Sequence, residues 1–377
     1  MDVLGIMKSS PCKSCCLDAI PTRLLLKCPA LVTPLTNLVN VSLATGKFPK
    51  SFKHASVTPL IKKSNLDCNL KSNYRPISNL VYESKLLERC VSKQLNCFLS
   101  SNKLHEGYQS AYRPHHSTET ALLRVQNDIL VSMEKKEVTL LVLLDLSAAF
   151  DTVDHVILLN RLQKIGVTGL SLDWFRSYLS ERTQAVVINN VSSEPANLTC
   201  GVPQGSVLSP ILFNIYTQPL GEIARKYGVY YHFYADDTQL YISFSVKESN
   251  TSVIHLSKCI EDIRSWMQSN LLMLNDSKTE VILLGSRQQL SKFNDLQVSV
   301  GNVAIKPCSK VKNLGVIFDS NMSMEDHVSN VCKSSYSYIR LLGKLRKYVD
   351  KATSIKVTHA FVTSRLDYCN SMAYQNH

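Results

Sequence analysis

The sequence lacks the long hydrophobic runs that membrane proteins need. Its longest strongly apolar run, residues 138–144, is far shorter than the roughly 20 apolar residues that a transmembrane helix takes. The N-terminus also lacks the hydrophobic region of a signal peptide. We therefore expect an intracellular protein, in the cytoplasm, the nucleus or both, with no membrane partner.

Charged residues are scarce for a chain of this length, and paired cysteine motifs are nearly absent. Charged residues make up 19% of the chain and hydrophobic residues 45%, which is typical of a globular protein. The twelve cysteines are scattered, and the one Cys-x-x-Cys motif, Cys12 to Cys15, has no second pair nearby. This pattern favours unpaired reduced thiols over a zinc site. The net charge of +12 favours a polyanionic partner, with nucleic acid the first candidate.

Apolar spacing predicts a mixed protein of helices and strands. A helix begins near Ser117 or Thr118, either of which can cap it, and the unalternating run Val138 to Leu144 predicts a strand covered on both faces. Asp151 is a candidate N-cap for the next helix. A final helix is predicted from about Val328 to Tyr348. One of its faces carries a basic stripe that consists of Arg340, Lys344, Lys347 and Lys351.

Two adjacent aspartates, Asp236 and Asp237, interrupt a run that otherwise has the composition of a buried strand. Two unit charges about 4 Å apart repel by roughly 4 kcal/mol at an effective dielectric constant of about 20. Aromatic and β-branched residues on both sides, 229–234 and 240–244, predict a hairpin with the aspartates at its turn. A solvent-exposed polar turn and a cation site both remain open for this pair.

A third aspartate, Asp145, ends the predicted strand at residues 138–144. If the two strand ends meet in one sheet, Asp145, Asp236 and Asp237 converge, as a two-metal phosphoryl-transfer site requires. One Mg²⁺ then lowers the pKa of an attacking hydroxyl and the other stabilises the leaving oxygens. The alternative for Asp145 is a strand-end cap or a salt bridge.

Five ordered motif blocks resemble those of reverse transcriptases. They are Asn73-Tyr-Arg-Pro-Ile-Ser-Asn79, Ser110-Ala-Tyr-Arg-Pro-His-His-Ser-Thr-Glu-Thr120, Leu143-Leu-Asp-Leu-Ser-Ala-Ala-Phe-Asp-Thr-Val-Asp-His155, Gly201-Val-Pro-Gln-Gly-Ser206 and Phe233-Tyr-Ala-Asp-Asp237. The first two blocks narrow the resemblance to non-LTR retrotransposons, especially jockey-type and related LINE elements. The resemblance implies an α+β, right-hand polymerase of fingers, palm and thumb, with an antiparallel palm sheet packed on helices. It also implies RNA-directed DNA synthesis from dNTPs, with an RNA template and a DNA primer or target as partners.

The resemblance further implies roles for the acidic residues. Asp145 and Asp236 would bind two Mg²⁺ ions, with Mn²⁺ as a substitute, Asp237 would lie beside them, and the Leu146 carbonyl would be a further ligand. Lys278 matches the lysine proposed as the general acid for the leaving pyrophosphate.

A second group of matched residues would contact the nucleotide. Phe150 matches the aromatic side chain that packs beneath the incoming sugar and sterically excludes a ribonucleotide 2′-hydroxyl. Gln204 and Gly205 match the loop that closes over the nucleotide, where glycine permits a close backbone approach. Arg75 matches the arginine that contacts the triphosphate, and either Lys62 or Lys63 matches the lysine that contacts the same phosphates.

The resemblance also predicts a domain organisation: residues 1–50 as a helical extension, 51–320 as fingers and palm, and 321–377 as a partial thumb. We expect neither the N-terminal endonuclease of full elements nor a complete thumb, because the chain starts late and stops at residues 374–377. A nuclease is disfavoured, since it has no use for the Phe150 gate. Two alternatives stay open. One is an inactive retroelement remnant that only binds RNA, and the other is an intron-encoded maturase, for which we would expect an extended basic RNA-binding domain after the thumb.

Overall fold

Helices and strands alternate along the chain. The computed structural model describes residues 2–147, 149–293, 295–301 and 303–373; Ala148 of the third motif block and the predicted chain end at residues 374–377 lie outside these ranges. The α-helices are α1 (Val3–Ser9), α2 (Thr22–Leu25), α3 (Val32–Thr45), α4 (Tyr82–Ser101), α5 (Thr118–Glu134), α6 (His155–Lys164), α7 (Gly169–Leu179), α8 (Ser209–Thr217), α9 (Leu220–Lys226), α10 (Ser249–Ser269), α11 (Arg287–Leu290), α12 (Glu325–Leu345), α13 (Lys351–Thr358) and α14 (Ser364–Leu366). The strands are β1 (His54–Ile61), β2 (Tyr74–Asn79), β3 (Val138–Leu144), β4 (Leu146–Ser147), β5 (Arg182–Ile188), β6 (Val191–Ser192), β7 (Ala196–Leu198), β8 (Tyr230–Tyr234), β9 (Asp237–Phe244), β10 (Met273–Leu274), β11 (Glu280–Leu284), β12 (Val298–Val300), β13 (Val303–Ile305), β14 (Lys310–Asn313) and β15 (Val316–Asp319). Short 3₁₀ segments lie at Pro29–Leu31, Lys50–Phe52, Lys71–Asn73, Val246–Glu248, Asp276–Lys278 and Asn370–Ala373, and a π-helical turn lies at His359–Thr363.

The chain forms two units, and each is assembled from three stretches of sequence. The first unit comprises Met1–Gly107, Ala148–Pro219 and Met267–Met273, and the second comprises Tyr108–Ser147, Leu220–Trp266 and Leu274–His377. Within the described ranges, no helix combines the length and apolar content needed to cross a membrane.

The first unit contains a sheet in the order β2-β1-β5-β6, with β7 also paired to β5. Strands β1 and β5 run parallel, while the other pairs are antiparallel. Its helical core is aromatic: the ring of Phe48 packs edge-on against Trp174 and Tyr178, at centroid distances of 5.4 and 5.2 Å. The indole N–H of Trp174 donates to Ser42 Oγ at 3.0 Å, so this buried polar group is satisfied.

The second unit is built on an antiparallel sheet in the order β11-β3-β9-β8. Strand β3 lies between two neighbours and is buried at all but one of its residues, which explains why its sequence is apolar without alternation. Helix α5 packs against this sheet through Leu122, Val125 and Ile129. The predicted N-cap is confirmed, because Ser117 Oγ accepts from the backbone N–H of Thr120 at 3.1 Å.

Strands β8 and β9 form the predicted hairpin around the paired aspartates. Tyr234 pairs with Asp237, which leaves Ala235 and Asp236 as the two turn residues. Ala235 has a φ of +57°, the left-handed conformation that two-residue hairpin turns need. The predicted hairpin is therefore confirmed, but only Asp236 lies at its turn, because Asp237 is the first residue of β9.

Two predicted helices are present, but the predicted N-cap of one and the continuous basic stripe of the other are wrong. Helix α6 is capped by Asp154, whose carboxylate accepts from the N–H of Ile157 at 2.8 Å, and not by Asp151. Helix α12 ends at Leu345, and α13 begins after Asp350, whose carboxylate caps it. The basic stripe is therefore broken, since its last two lysines, at 347 and 351, lie beyond α12.

Candidate active site

The register of the sheet in the second unit places two of the predicted carboxylates side by side. Leu144 of β3 pairs with Thr238 of β9. Asp145 follows Leu144 and Asp237 precedes Thr238, so the two aspartates are neighbours across adjacent antiparallel strands. Both line one polar pocket with a volume of about 430 Å³.

The other two predicted metal-binding positions lie next to this pair. Asp236 is half-buried at the hairpin turn and is not among the residues that line the pocket. Leu146 is buried in the short strand β4, directly after Asp145. Over the residues that the structure describes, no three His, Cys, Asp or Glu side chains converge closely enough to hold a metal ion. The structure thus brings Asp145 and Asp237 together and leaves Asp236 beside them.

The electrostatics of the pocket favour a cation. Although the Asp237 side chain keeps access to solvent, surrounding protein atoms disfavour its charged form, and the charges of Asp236 and Asp145 add to this effect. Together they raise the pKa of Asp237 from 3.8 to about 6. Carboxylate oxygens are the ligands that divalent cations such as Mg²⁺ prefer, and a cation would offset the mutual repulsion. The ligand type therefore suits a hard divalent metal, while the described residues bring only Asp145 and Asp237 together in the pocket.

The predicted general acid, Lys278, reaches the same pocket. Its Nζ lies 3.0 Å from Asp145 Oδ2, and the pair is exposed to solvent. The loop that carries the lysine is held at two points. The N–H of Asn275 donates to the Asp145 carbonyl at 2.9 Å, and Arg264 forms a two-pronged ion pair with Asp276, with N···O distances of 2.5 and 3.1 Å. Lys278 is therefore anchored close to the carboxylates.

The predicted nucleotide loop lies in the first unit and depends on glycine. The N–H of Ser78 in β2 donates to the Gln204 carbonyl at 2.8 Å. This contact brings the backbones so close that a Cβ on Gly205, at φ +142°, would lie 2.2 Å from the Ser78 carbonyl oxygen. Any side chain at position 205 would clash, so the glycine is required by the fold of the loop itself.

The Gln204 side chain has a partner that the sequence did not indicate. Its Nε2 donates to both carboxylate oxygens of Asp151 at 3.0 Å. Although Asp151 is exposed to solvent, surrounding protein atoms disfavour its charged form and raise its pKa, and the hydrogen bond from Gln204 opposes that shift. The residue predicted as a helix cap thus orients the amide that was predicted to contact the nucleotide.

The remaining predicted nucleotide residues also belong to the first unit. Phe150 is half-buried and packs on Phe213, with ring centroids 4.8 Å apart. Arg75, Lys62 and Lys63 are exposed at the hairpin of β1 and β2. Lys62 Nζ donates to the Ser72 carbonyl at 2.8 Å, so its ammonium group is engaged within its own hairpin.

Sequence reasoning missed Glu88, a buried carboxylate that anchors the nucleotide loop. Its Oε2 accepts from the N–H of Val207 at 2.7 Å and from the Ser206 hydroxyl. Its Oε1 accepts from the Ser84 hydroxyl at 2.9 Å. The signal was present in the sequence: Glu88 is three residues before Val91 on the apolar face of α4, where an unpaired charge is costly.

Sequence reasoning also missed Gln109, which contacts the aspartate hairpin. The side chain is buried, and its Oε1 accepts from the N–H of Ala235 at 3.2 Å. No local pattern pointed to this contact, because the two residues are far apart in sequence.

Comparisons with known proteins give a consistent result. The family model described as "Reverse transcriptase (RNA-dependent DNA polymerase)" matches residues 61–318. Among similar curated proteins, the probable RNA-directed DNA polymerase from transposon BS of Drosophila melanogaster is 28% identical over 331 residues, and that from mobile element jockey of the same species is 29% identical over 303 residues. These alignments cover 86% and 79% of this chain but 35% and 32% of the relatives. The chain therefore spans about a third of the length of the curated relatives it matches.

Solved structures with the same fold include two telomerases. The apo telomerase from Candida tropicalis, truncated from the C-terminal domain, has a TM-score of 0.50 and 13% identity, and the match covers 77% of this chain and 59% of that one. The telomerase from Candida albicans, in complex with a fragment of telomeric RNA, has a TM-score of 0.50 and 11% identity, covering 92% of this chain and 65% of that one. At this identity the likeness establishes the fold alone, that of a right-hand polymerase.

Proposed function

Since this chain belongs to the reverse transcriptase family, we propose that it is an RNA-directed DNA polymerase that serves a non-LTR retrotransposon. It would add dNTPs to a primer 3′-OH by phosphoryl transfer with two divalent cations. The observation that carries this proposal is the register of β3 and β9, which aligns Asp145 with Asp237 at one edge of the sheet. Two carboxylates this close repel each other and destabilise the fold, and a catalytic role would explain why the sequence has both.

We assign the cation sites to Asp145, Asp236 and Asp237, with the Leu146 carbonyl as a further ligand. The cations would be Mg²⁺, with Mn²⁺ as a substitute. When bound, they supply the positive charge that activates the primer hydroxyl and stabilises the leaving oxygens. Burial is the larger cause of the raised pKa of Asp237, and the charges of Asp236 and Asp145 add to it; that repulsion, which a cation would offset, supports the assignment.

Lys278 would donate a proton to the leaving pyrophosphate. Its Nζ lies 3.0 Å from Asp145 Oδ2, and this closeness to the carboxylates supports the proposed role. While Asp145 Oδ2 is paired with Lys278, that oxygen is not available to bind a cation. The lysine would therefore leave Asp145 when substrate binds, which its exposed position permits.

A second group of residues would contact the nucleotide. Phe150 would exclude a 2′-hydroxyl, since a phenyl ring packed on a neighbouring ring cannot yield to an added oxygen. The loop of Gln204 and Gly205 would contact the sugar or base. The triphosphate would be bound by Arg75 and one of the two lysines at 62 and 63; we favour Lys63, because Lys62 is engaged with Ser72.

We further propose that residues 51–320 form the fingers and palm and that 321–377 contribute to a thumb, after a helical extension at 1–50. The partners would be an RNA template, a DNA primer or target, and dNTPs. The net charge of +12 suits such polyanions. The proposed DNA synthesis would take place inside the cell, in the cytoplasm, the nucleus or both.

Primer extension on an RNA template with Mg²⁺ tests the proposal. We expect dNTP incorporation by the purified chain, and none by Asp236→Ala. Asp262→Ala is a matched control, because Asp262 lies in the same unit but pairs with Lys226 and Tyr227, away from the pocket. Folded wild-type protein that incorporates no dNTP, or an Asp236→Ala variant as active as wild type, would contradict the proposal.

The alternative is an inactive remnant that only binds RNA. The ion pair of Lys278 with Asp145 and the bond of Gln204 to Asp151 are the observations in its favour, since both occupy groups that catalysis needs. Filter binding distinguishes the two functions. RNA retained on the filter while primer extension is absent would select the remnant.

A further inference from the structure

A short segment extends the sheet of the second unit beyond its edge strand β8. Gln109 forms an isolated parallel β-bridge with Phe233. The N–H of Phe233 donates to the Tyr108 carbonyl at 2.8 Å, and the N–H of Ser110 donates to the Phe233 carbonyl at 3.0 Å. The backbone of residues 108–110 is thus fixed against the strand that leads into the aspartate hairpin.

The side chain of Gln109 reaches from this segment to the turn. It is 4% exposed, and its Oε1 accepts two backbone N–H groups, that of Ala111 at 2.9 Å and that of Ala235 at 3.2 Å. One bond holds the side chain to its own segment and the other holds the turn. Both lone pairs of the amide oxygen are therefore used.

Two further contacts fix the backbone segment that carries Gln109. Arg113 Nη1 donates to the Gln109 carbonyl at 3.0 Å. The Ser110 hydroxyl lies 2.8 Å from Nε2 of buried His232, one residue before Phe233 in β8. A buried side chain whose backbone is fixed on both sides is a rigid support.

We propose that Gln109 is a positioning residue for the turn that carries Asp236. Ala235 holds a left-handed conformation that residues with a Cβ adopt only rarely, and it directly precedes Asp236. The hydrogen bond from its N–H to Gln109 stabilises that conformation and so fixes the direction in which Asp236 and Asp237 leave the turn. The consequence for metal binding rests on the proposed function, whereas the effect on the turn does not.

Hydrogen exchange of the full chain tests the effect on the turn. Gln109→Met keeps the length of the side chain and removes the acceptor, so we expect faster deuterium uptake in a peptide that spans residues 233–238. Gln126→Met is the matched control: Gln126 is also fully buried in this unit, but it donates to the Met372 carbonyl. Uptake in the 233–238 peptide should stay at the wild-type rate in the control.

A second variant keeps the test decisive if Gln109→Met does not fold. Gln109→Asn keeps a polar amide but is one methylene too short to reach Ala235, so it should also speed exchange in the 233–238 peptide. Unchanged uptake in Gln109→Met and Gln109→Asn, or equal acceleration in Gln126→Met, would overturn the proposal.

Metal binding provides a readout that separates this inference from the proposed function. Mn²⁺ binding, followed by electron paramagnetic resonance, should weaken about tenfold in Gln109→Met, the loss typical of removing a group that orients a metal ligand. If wild-type protein neither binds Mn²⁺ nor extends a primer, the proposed function fails. The exchange experiment still decides the role of Gln109 in that case.

Discussion

Replacing Glu88 tests what holds the nucleotide loop in place. This carboxylate is fully buried on α4, and it accepts from the N–H of Val207 at 2.7 Å and from the hydroxyl groups of Ser84 and Ser206. Hydrogen bonds to a charged group contribute about 1.5–3 kcal/mol each, and a buried donor left without its acceptor costs a comparable amount. The loop that begins at Gly205 therefore depends on one side chain from a helix far away in sequence.

The cost of Glu88→Leu follows from the bonds that it removes. Ser206 keeps a partner, since the Tyr178 hydroxyl lies 2.6 Å from its Oγ. The N–H of Val207 and the hydroxyl of Ser84 lose their acceptor, and two such bonds amount to about 3–6 kcal/mol. At about 2–4 °C per kcal/mol, the expected fall in melting temperature is about 10 °C. Glu88→Gln keeps one acceptor oxygen, so its fall should be clearly smaller.

Thermal and urea denaturation, followed by circular dichroism, measure this effect. Glu83→Leu is the matched control, because Glu83 lies on the same helix and the substitution removes the same charge, while Glu83 stays partly exposed. We expect the control to melt close to wild type. A Glu88→Leu variant that melts within about 2 °C of the control, a shift worth about 1 kcal/mol or less, would refute the reasoning.

Three further substitutions test the pocket and the loop. In Gly205→Ala the new Cβ would lie 2.2 Å from the Ser78 carbonyl oxygen, so the melting temperature should fall and the KM for dNTP should rise. An unchanged KM in steady-state kinetics would argue against assigning this loop to nucleotide binding. In metal-free wild-type protein, native Asp237 with its pKa of about 6 holds its proton to a higher pH than the unfolded chain does, so stability should fall as pH rises from about 4 to 6. Asp237→Asn should flatten that fall in urea melts at graded pH, and a wild-type profile without the fall would contradict the raised pKa. Lys278→Met removes an exposed ion pair, so it should change the free energy of unfolding by less than about 1 kcal/mol. It should nevertheless lower kcat. A Lys278→Met variant with wild-type single-turnover rates would exclude Lys278 as the general acid.

The scaffold around the pocket was predictable from sequence because its signals are local. The run Val138 to Leu144 is apolar without alternation, and it forms a strand over those same residues between two neighbours. The hairpin around Asp236 was predicted from its flanking aromatic and β-branched residues. The resemblance to reverse transcriptases of non-LTR elements, based on five motif blocks, is confirmed by the family match and by the jockey and BS relatives.

The supports of the site were not predictable because their partners are distant in sequence. Asp151 satisfies the local rule for an N-cap, but Asp154 lies closer to the helix start and takes that role. The Asp151 carboxylate is then left to accept from Gln204, a contact between two loops that no periodicity reveals. The register that aligns Asp145 with Asp237 could be anticipated as a meeting of strand ends, but the pairing residue by residue depends on the packed sheet.

The missed residues share a physical reason for being where they are. Ala235 is left-handed without being glycine, and Gly205 lies against a backbone carbonyl that excludes any Cβ. Conformations of this kind persist only when the surrounding structure holds them. Gln109 accepts from the N–H of Ala235, and Glu88 accepts from the residues that follow Gly205. Buried polar side chains thus hold both of these positions, and of the two only Glu88, a charged residue on the apolar face of a helix, leaves a signal in the sequence.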